Sequence, residues 1–158
     1  HCESLEECIL PKGITKIPYQ MFWGCTSLRL EIPDSVTEIG DYAFYSCGFT
    51  ESLRLPSSLS HIGDFAFARS GLESINIPNG VSRIGYAAFY HCDNVTRIVI
   101  GNGVTSIGAK AFTWCSNVNS ITFAGTVEQW NAISKGDGWN GQVYVYEVIC
   151  SDGTVALN

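Results

Sequence analysis

The stretch VSRIGYAAFYHC, Val81–Cys92, returns as VTSIGAKAFTWC at Val104–Cys115 and is preceded by VTEIGDYAFYSC at Val36–Cys47. About half of the letters change while the spacing holds. The apolar residue before glycine falls at Ile39, Ile62, Ile84 and Ile107, at intervals of 23, 22 and 23 residues, with a fainter copy at Ile17 ahead of Pro18. An aromatic keeps the same count at Phe22, Phe44, Phe67, Phe89 and Phe112. Three residues beyond each lie Cys25, Cys47, Ser70, Cys92 and Cys115. Agreement at several positions in five copies defines a repeat of 22–23 residues.

Ahead of each of these stretches runs a short alternation: Leu53 and Leu55, Ile75 and Ile77, Ile98 and Ile100, Ile121 and Phe123. Period two with branched side chains predicts a strand. Pro33, Pro56 and Pro78, with Gly101 in the matching place, end each run, because proline has no N–H to give to a ladder. The segment GDYAFYSC after Ile39 is too short for a free-standing helix and predicts one short helical or 3₁₀ turn. Such a unit cannot enclose a core alone, so each must cover its apolar side against the next. The expected fold is a right-handed α/β solenoid with one short parallel strand and one short helical turn per repeat, about five or six strands in a row.

The unit GLESINIPNGVSRIGYAAFYHC, Gly71–Cys92, resembles the leucine-rich repeats of the BspA-like, or treponeme, type, whose unit reads approximately SLTSITIPxxVTxIGxxAFxxC. The resemblance covers about residues 1–125. Departures are Pro18 for glycine, Met21 for alanine, Ser70 for cysteine, and one-residue length changes near Arg29 and Gly71. It implies a secreted or cell-surface protein, and a protein ligand such as a host matrix or cell-surface protein. The opening His1-Cys2 matches His91-Cys92, so the first residue is expected to fall inside a repeat, with more repeats upstream.

After Phe123 the period fades. Thr126, with Gln129 three residues on, forms a capping-box signature, and Trp130 with Ile133 marks an inward stripe. The alternating QVYVYEVICSDGTVAL turns at Asp152-Gly153, a strong hairpin signal. Residues 126–158 are therefore expected to form a helix-plus-hairpin cap on the solenoid of residues 1–125, within one domain, because an open last coil would expose core and a sheet edge.

A net charge of −6 with scattered Lys and Arg leaves no basic stripe for nucleic acid. No run approaches the roughly 18 apolar residues of a membrane span, so no membrane insertion is expected of this chain, which reads as a monomer. Five of the seven cysteines (Cys2, Cys25, Cys47, Cys92, Cys115) share one repeat position and read as a ladder of free structural thiols. Parallel Cβ vectors on stacked coils are wrong for a bridge. The alternatives are a pairing that involves Cys2, Cys8 or Cys150, or a metal, which no CxxC spacing supports.

No cofactor or metal site is expected, and the chain reads as no enzyme. A triad of His61, Asp64 and a serine on an adjacent coil is conceivable, but no nucleophile elbow or phosphate loop accompanies it. GDGWNG, residues 136–141, lacks the acidic ligands of a calcium loop and reads as a turn. Trp23, Tyr45 and Tyr90 share the position after the repeat phenylalanine, with Trp114 one further on. They read first as rings that shield the neighbouring coil, with a candidate convex aromatic patch as the alternative.

The outward strand positions carry Ile9, Glu31, Arg54, Asn76, Val99 and Thr122, flanked by Arg29, Ser52, Ser74, Arg97 and Ser120. Because the other side of the sheet makes the core, these positions are free to vary and to meet a partner. The candidate ligand-contact face is therefore Arg29, Glu31, Arg54, Asn76, Arg97, Val99 and Thr122. The functional expectation is a noncatalytic protein-binding or adhesion module, with a structural spacer as the alternative and an enzyme with an unrecognised site as a remote one.

Overall fold

The computed structural model describes residues 4–49 and 52–157, so expectations that rest on His1 and Cys2 lie outside the described residues. The chain winds as a β-solenoid. In each regular coil a strand is followed by a tight turn, a second and shorter strand, and a run of turns that brings the chain back.

The long-strand set comprises β1 (Glu7–Cys8) and β3 (Arg29–Leu30), of two residues each, and β6 (Ser74–Ile77), β8 (Arg97–Ile100) and β10 (Ser120–Phe123), of four, joined by β12 (Glu147–Cys150) and β13 (Gly153–Ala156). The shorter ones are β2 (Lys16–Ile17), β4 (Glu38–Ile39), β5 (His61–Ile62), β7 (Arg83–Ile84), β9 (Ser106–Ile107) and β11 (Ser134–Lys135). The shorter strands form a six-stranded parallel sheet in the order β11-β9-β7-β5-β4-β2. The longer ones split into the pair β1-β3 and a five-stranded sheet, β13-β12-β10-β8-β6, parallel except for the β12–β13 hairpin. The expectation of one strand per repeat thus misses a second ladder. Its strands are two residues long, too short for any alternation to show, and each ends at a glycine or its substitute.

The expected helical turn is also replaced. From Gly40 to Cys47, Ala43, Tyr45 and Cys47 donate to the carbonyls of Gly40, Tyr42 and Phe44, while Tyr42, Phe44 and Ser46 donate to Asp64, Ala66 and Ala68 of the next coil. Alternate N–H groups therefore stay at home and cross over, which a 3₁₀ turn cannot arrange because all of its donors point along one axis. Left-handed backbone at Tyr42 (φ 56) and Ser46 (φ 52) achieves it. The same pair of positions is left-handed at Gln20 and Gly24, Phe65 and Arg69, Ala87 and His91, and Lys110 and Trp114. Each left-handed residue costs about 1 kcal/mol, and at every one the N–H donates to the following coil.

Leu53 and Leu55 do not form the expected strand; residues 52–55 carry no ladder. The link before the strand varies in length. Leu72 precedes Ile75 by three residues, as Leu5 precedes Cys8, Val95 precedes Ile98 and Val118 precedes Ile121, but Leu28 precedes Leu30 by two and Phe49 precedes Leu53 by four. Links of three and two still pair, at β1 and β3, and the long-strand sheet is interrupted beside the longest link, between β3 and β6.

Inside, Phe22, Phe44, Phe67, Phe89 and Phe112 stack with centroids 5.2, 5.0, 5.3 and 5.3 Å apart. Ile17, Ile39, Ile62, Ile84 and Ile107 line the opposite wall and are buried. The glycine after each of these isoleucines is a matter of contact: a Cβ on Gly85 would lie 2.5 Å from the Gly63 carbonyl, and one on Gly108 2.5 Å from that of Gly85.

The coil pattern that fades from the sequence at Phe123 resumes in space. Helix α1 (Val127–Ala132) is inserted, with Thr126 as N-cap and Gln129 completing the capping box; Trp130 and Ile133 are buried. Then β11 pairs with β9, and the carbonyls of Asp137, Trp139 and Gly141 accept from Lys110, Phe112 and Trp114 in the register of the earlier coils. Segment 136–141 is therefore one more set of coil turns. Trp139 stands where earlier coils carry alanine and reaches over the end of the stack, 6.2 Å from Phe112 and 5.7 Å from Trp130.

Candidate interaction surfaces

On the strand side the outward rows are set by register. Ser74, Arg97 and Ser120 are cross-strand neighbours, as are Asn76, Val99 and Thr122, and Ile149 extends the second row. Ile75, Ile77, Ile98, Ile100, Ile121 and Phe123 take the inward places and are buried. Arg29 pairs in register with Glu7 on the separate β1-β3 sheet. Arg54 lies on the unladdered segment and binds the Asp34 carboxylate at 2.9 Å, both side chains two-thirds exposed. Of the candidate contact residues, then, Asn76, Arg97, Val99 and Thr122 share one sheet, while Arg29, Glu31 and Arg54 stand across the break. Arg97 is exposed, with no ion pair or hydrogen bond among the described residues. At the break lies a recess of about 200 Å³, lined by apolar Phe49, Leu53 and Leu72, with Glu73 as its one charged group among the described residues.

On the turn side the aromatic patch is divided. Trp23 and Tyr45 lie 4.7 Å apart, whereas Tyr90 and Trp114 flank His91, at 5.6 and 5.8 Å. The larger cluster holds residues that pattern reading missed: Tyr42 stacks on Trp23 (5.4 Å) and Phe65 (4.8 Å), with Tyr19 and Tyr86 set edge-on at its two ends. Tyr42 and Phe65 sit at the first left-handed position of their coils, whose other occupants are Gln20, Ala87 and Lys110, so no repeated aromatic letter betrays them. Burial first, then Tyr19, Tyr45 and the carboxylates of Asp41 and Asp64, push the Tyr42 phenol above its ordinary value.

The imagined triad does not assemble. His61 Nδ1 meets the Ser60 hydroxyl at 2.9 Å, but the Asp64 carboxylate is engaged by Arg83 (3.2 Å) and by the Tyr86 N–H (2.8 Å). Cys25, Cys47, Cys92 and Cys115 are buried. The Cys92 and Cys115 thiols donate to the carbonyls of Phe67 and Phe89, each at 3.1 Å, and Ser70 Oγ lies 3.6 Å from Cys92 Sγ. The hydrogen bond with Cys92, together with burial, raises the Cys115 thiol pKa; burial and then the nearby Cys25 raise that of Cys47. Among the described residues no three His, Cys, Asp or Glu side chains converge as metal ligands. No helix there is long and apolar enough to cross a membrane.

Residues 1–119 match six copies of the BspA type leucine rich repeat region. The chain belongs to this leucine-rich-repeat family. Among solved structures, this BspA-type chain superposes on a leucine rich cell surface protein from Faecalibacterium prausnitzii with a TM-score of 0.76 and 35% identity, over 82% of this chain and 35% of that one. The fold is shared at 23% identity with leucine-rich repeat proteins of T. pallidum (TM-score 0.66, 92% of this chain, 73% of that one) and Bacteroides ovatus (0.68, 91% and 40%). The chain thus spans about a third of the length of the F. prausnitzii protein. No curated protein matches the chain.

Proposed function

We propose that this BspA-type repeat segment is a noncatalytic protein-binding module of a secreted or cell-surface protein, with its ligand on the long-strand face. One observation carries the reading. Across β6, β8 and β10 the inward places are uniformly Ile or Phe, while the outward rows read Ser, Arg, Ser and Asn, Val, Thr, polar or small side chains centred on the unpaired Arg97. A solenoid fixes the spacing of such rows and leaves their chemistry free. Kinship with a family that includes a bacterial cell surface protein supports the location and the binding role.

The footprint bounds the strength. Five strands about 4.8 Å apart and four residues long offer roughly 19 by 13 Å, about 250 Å², against the roughly 800 Å² that a stable protein complex takes from each partner. This segment alone binds weakly, and further repeats raise affinity by extending the face. The test is retention on immobilised extracellular-matrix proteins of the chain and of its Arg54→Ala/Arg97→Ala variant, after both are shown to melt together. Lost retention at unchanged stability supports the strand face, because arginine combines charge, planar hydrogen bonding and stacking. Equal retention removes the site from it, and no retention of either protein favours the spacer reading.

A further inference from the structure

One column on the turn side reads Tyr19, Asp41, Asp64, Tyr86, one residue from each of four successive coils. The two carboxylates play the same structural part, since Asp41 Oδ1 accepts the N–H of Asp64 and Asp64 Oδ1 accepts that of Tyr86, each at 2.8 Å. They differ in what else they hold. Asp64 also receives the guanidinium of Arg83 at 3.2 Å, from the neighbouring coil. The residue in the place of Arg83 beside Asp41 is His61, by the register His61↔Arg83, and its Nδ1 meets the Ser60 hydroxyl instead. Asp41 is exposed and has no cation partner among the described residues.

The surroundings of Asp41 suit a guanidinium. Tyr19 is 61% exposed and meets Tyr42 edge-to-face at 75°, outside the stack of Trp23, Tyr42 and Phe65. The Trp23 and Tyr45 rings join Tyr42 in the same cluster. An exposed tyrosine at the column position next to an unpaired carboxylate suits an arginine, which takes a carboxylate in two hydrogen bonds and stacks on an aromatic ring. A divalent ion is not served, since no third metal-ligating side chain joins the pair among the described residues.

We propose that Asp41 and Tyr19 form a docking point for an arginine side chain of a partner protein, doing between molecules what Arg83 does for Asp64 within the chain. This surface lies on the turn side and is independent of the strand-face reading.

The test uses a fluorescent hexa-arginine peptide and its hexa-citrulline counterpart, which keeps the planar shape and loses the charge, with anisotropy as the readout. The chain is expected to bind the arginine peptide and not the citrulline one. Asp41→Asn and Tyr19→Ala are each expected to weaken binding about fivefold. The decisive variant is His61→Arg, which gives Asp41 an internal guanidinium in the geometry of Arg83 and Asp64 and is expected to weaken binding as much as Asp41→Asn while leaving the Asp41 carboxylate and the Tyr19 ring in place. Glu73→Gln, on an exposed residue elsewhere, makes the same one-unit change in net charge and is expected to have no such effect. Equal losses in Glu73→Gln and Asp41→Asn, unchanged affinity in His61→Arg, or equal binding of the citrulline peptide would each overturn the proposal. Arg54→Ala/Arg97→Ala keeps arginine-peptide binding whether or not the strand face is the main site.

Discussion

Replacing Gly85 by alanine should cost about 3 kcal/mol, because the coils meet backbone to backbone there. An added Cβ would sit 2.5 Å from both the carbonyl carbon and oxygen of Gly63 and 2.6 Å from Asp64 Oδ1. Ordinary contact begins near 3.4 Å, so the joint between the two coils must open by about 0.9 Å. The bonds that close it, Gly85 N–H to Ile62 O and Phe65 N–H to Tyr86 O, are both 2.9 Å and would stretch beyond hydrogen-bonding range. Two lost bonds at about 1 kcal/mol each, with an overpacking strain of at least 1 kcal/mol, give the total. For a chain of this size that lowers Tm by about 6–12 °C. The control is Gly138→Ala. Gly138 is left-handed (φ 59) with nothing within 4 Å of its missing Cβ, and Ala87 already holds a comparable angle (φ 50) in its own coil. Its cost should stay near 1 kcal/mol. Urea unfolding of both variants, followed by far-ultraviolet circular dichroism, decides the matter. If Gly85→Ala costs no more than Gly138→Ala, close coil contact is not why glycine occupies this column.

A thiol titration in denaturant without reductant should find at least Cys25, Cys47, Cys92 and Cys115 free, and the same thiols should react far more slowly in the native state, where burial keeps the reagent from them. A bridge between any two of these four would break the ladder argument. Trp139→Ala uncovers the end of the phenylalanine stack and should cost about 3 kcal/mol in urea unfolding; a neutral result would mean that Trp130 alone closes the coil. Thr126→Ala removes one half of the capping box and should cost about 1 kcal/mol by the same measurement.

The repeat was legible because its demands recur: an apolar residue before a glycine and a phenylalanine four residues past that glycine must fit their own copies in the next coil, so the letters return at a fixed count. What stayed hidden lacks that property. The second ladder is carried by strands of two residues, below the length at which alternation exists. The left-handed turns are occupied by Tyr, Phe, Ala and Lys, residues that announce no such backbone, because the constraint there is the N–H of the next bond and not the side chain. The last coil was masked by the insertion of α1, which moves the short strand from an interval of 23 residues to one of 28 between Ile107 and Lys135. The candidate strand face was readable as two rows of outward positions. Its break was not: link length varies along the chain, and unequal links still pair at β1 and β3.

That break bears on how the two sides of the solenoid differ as surfaces. On the strand side the link before the strand varies from two residues to four, and the coil with the longest link carries no ladder. The ladder then stops, and Arg54 ends beyond its edge while Arg97 stands on the sheet. The short-strand ladder and the turns run without such a change: β2, β4, β5, β7, β9 and β11 pair in unbroken sequence, and cross-coil bonds continue from Gln20 to Trp114. The spacing from the isoleucine through its glycine to the repeat cysteine is constant in the copies from Ile39 onward, and the length changes fall between that cysteine position and the next strand. The turn side is therefore the fixed ruler of this chain. A residue placed on it, such as Asp41, Asp64 or Tyr86, keeps its relation to its neighbours whatever happens at the strands, whereas the strand face is interrupted beside its longest link.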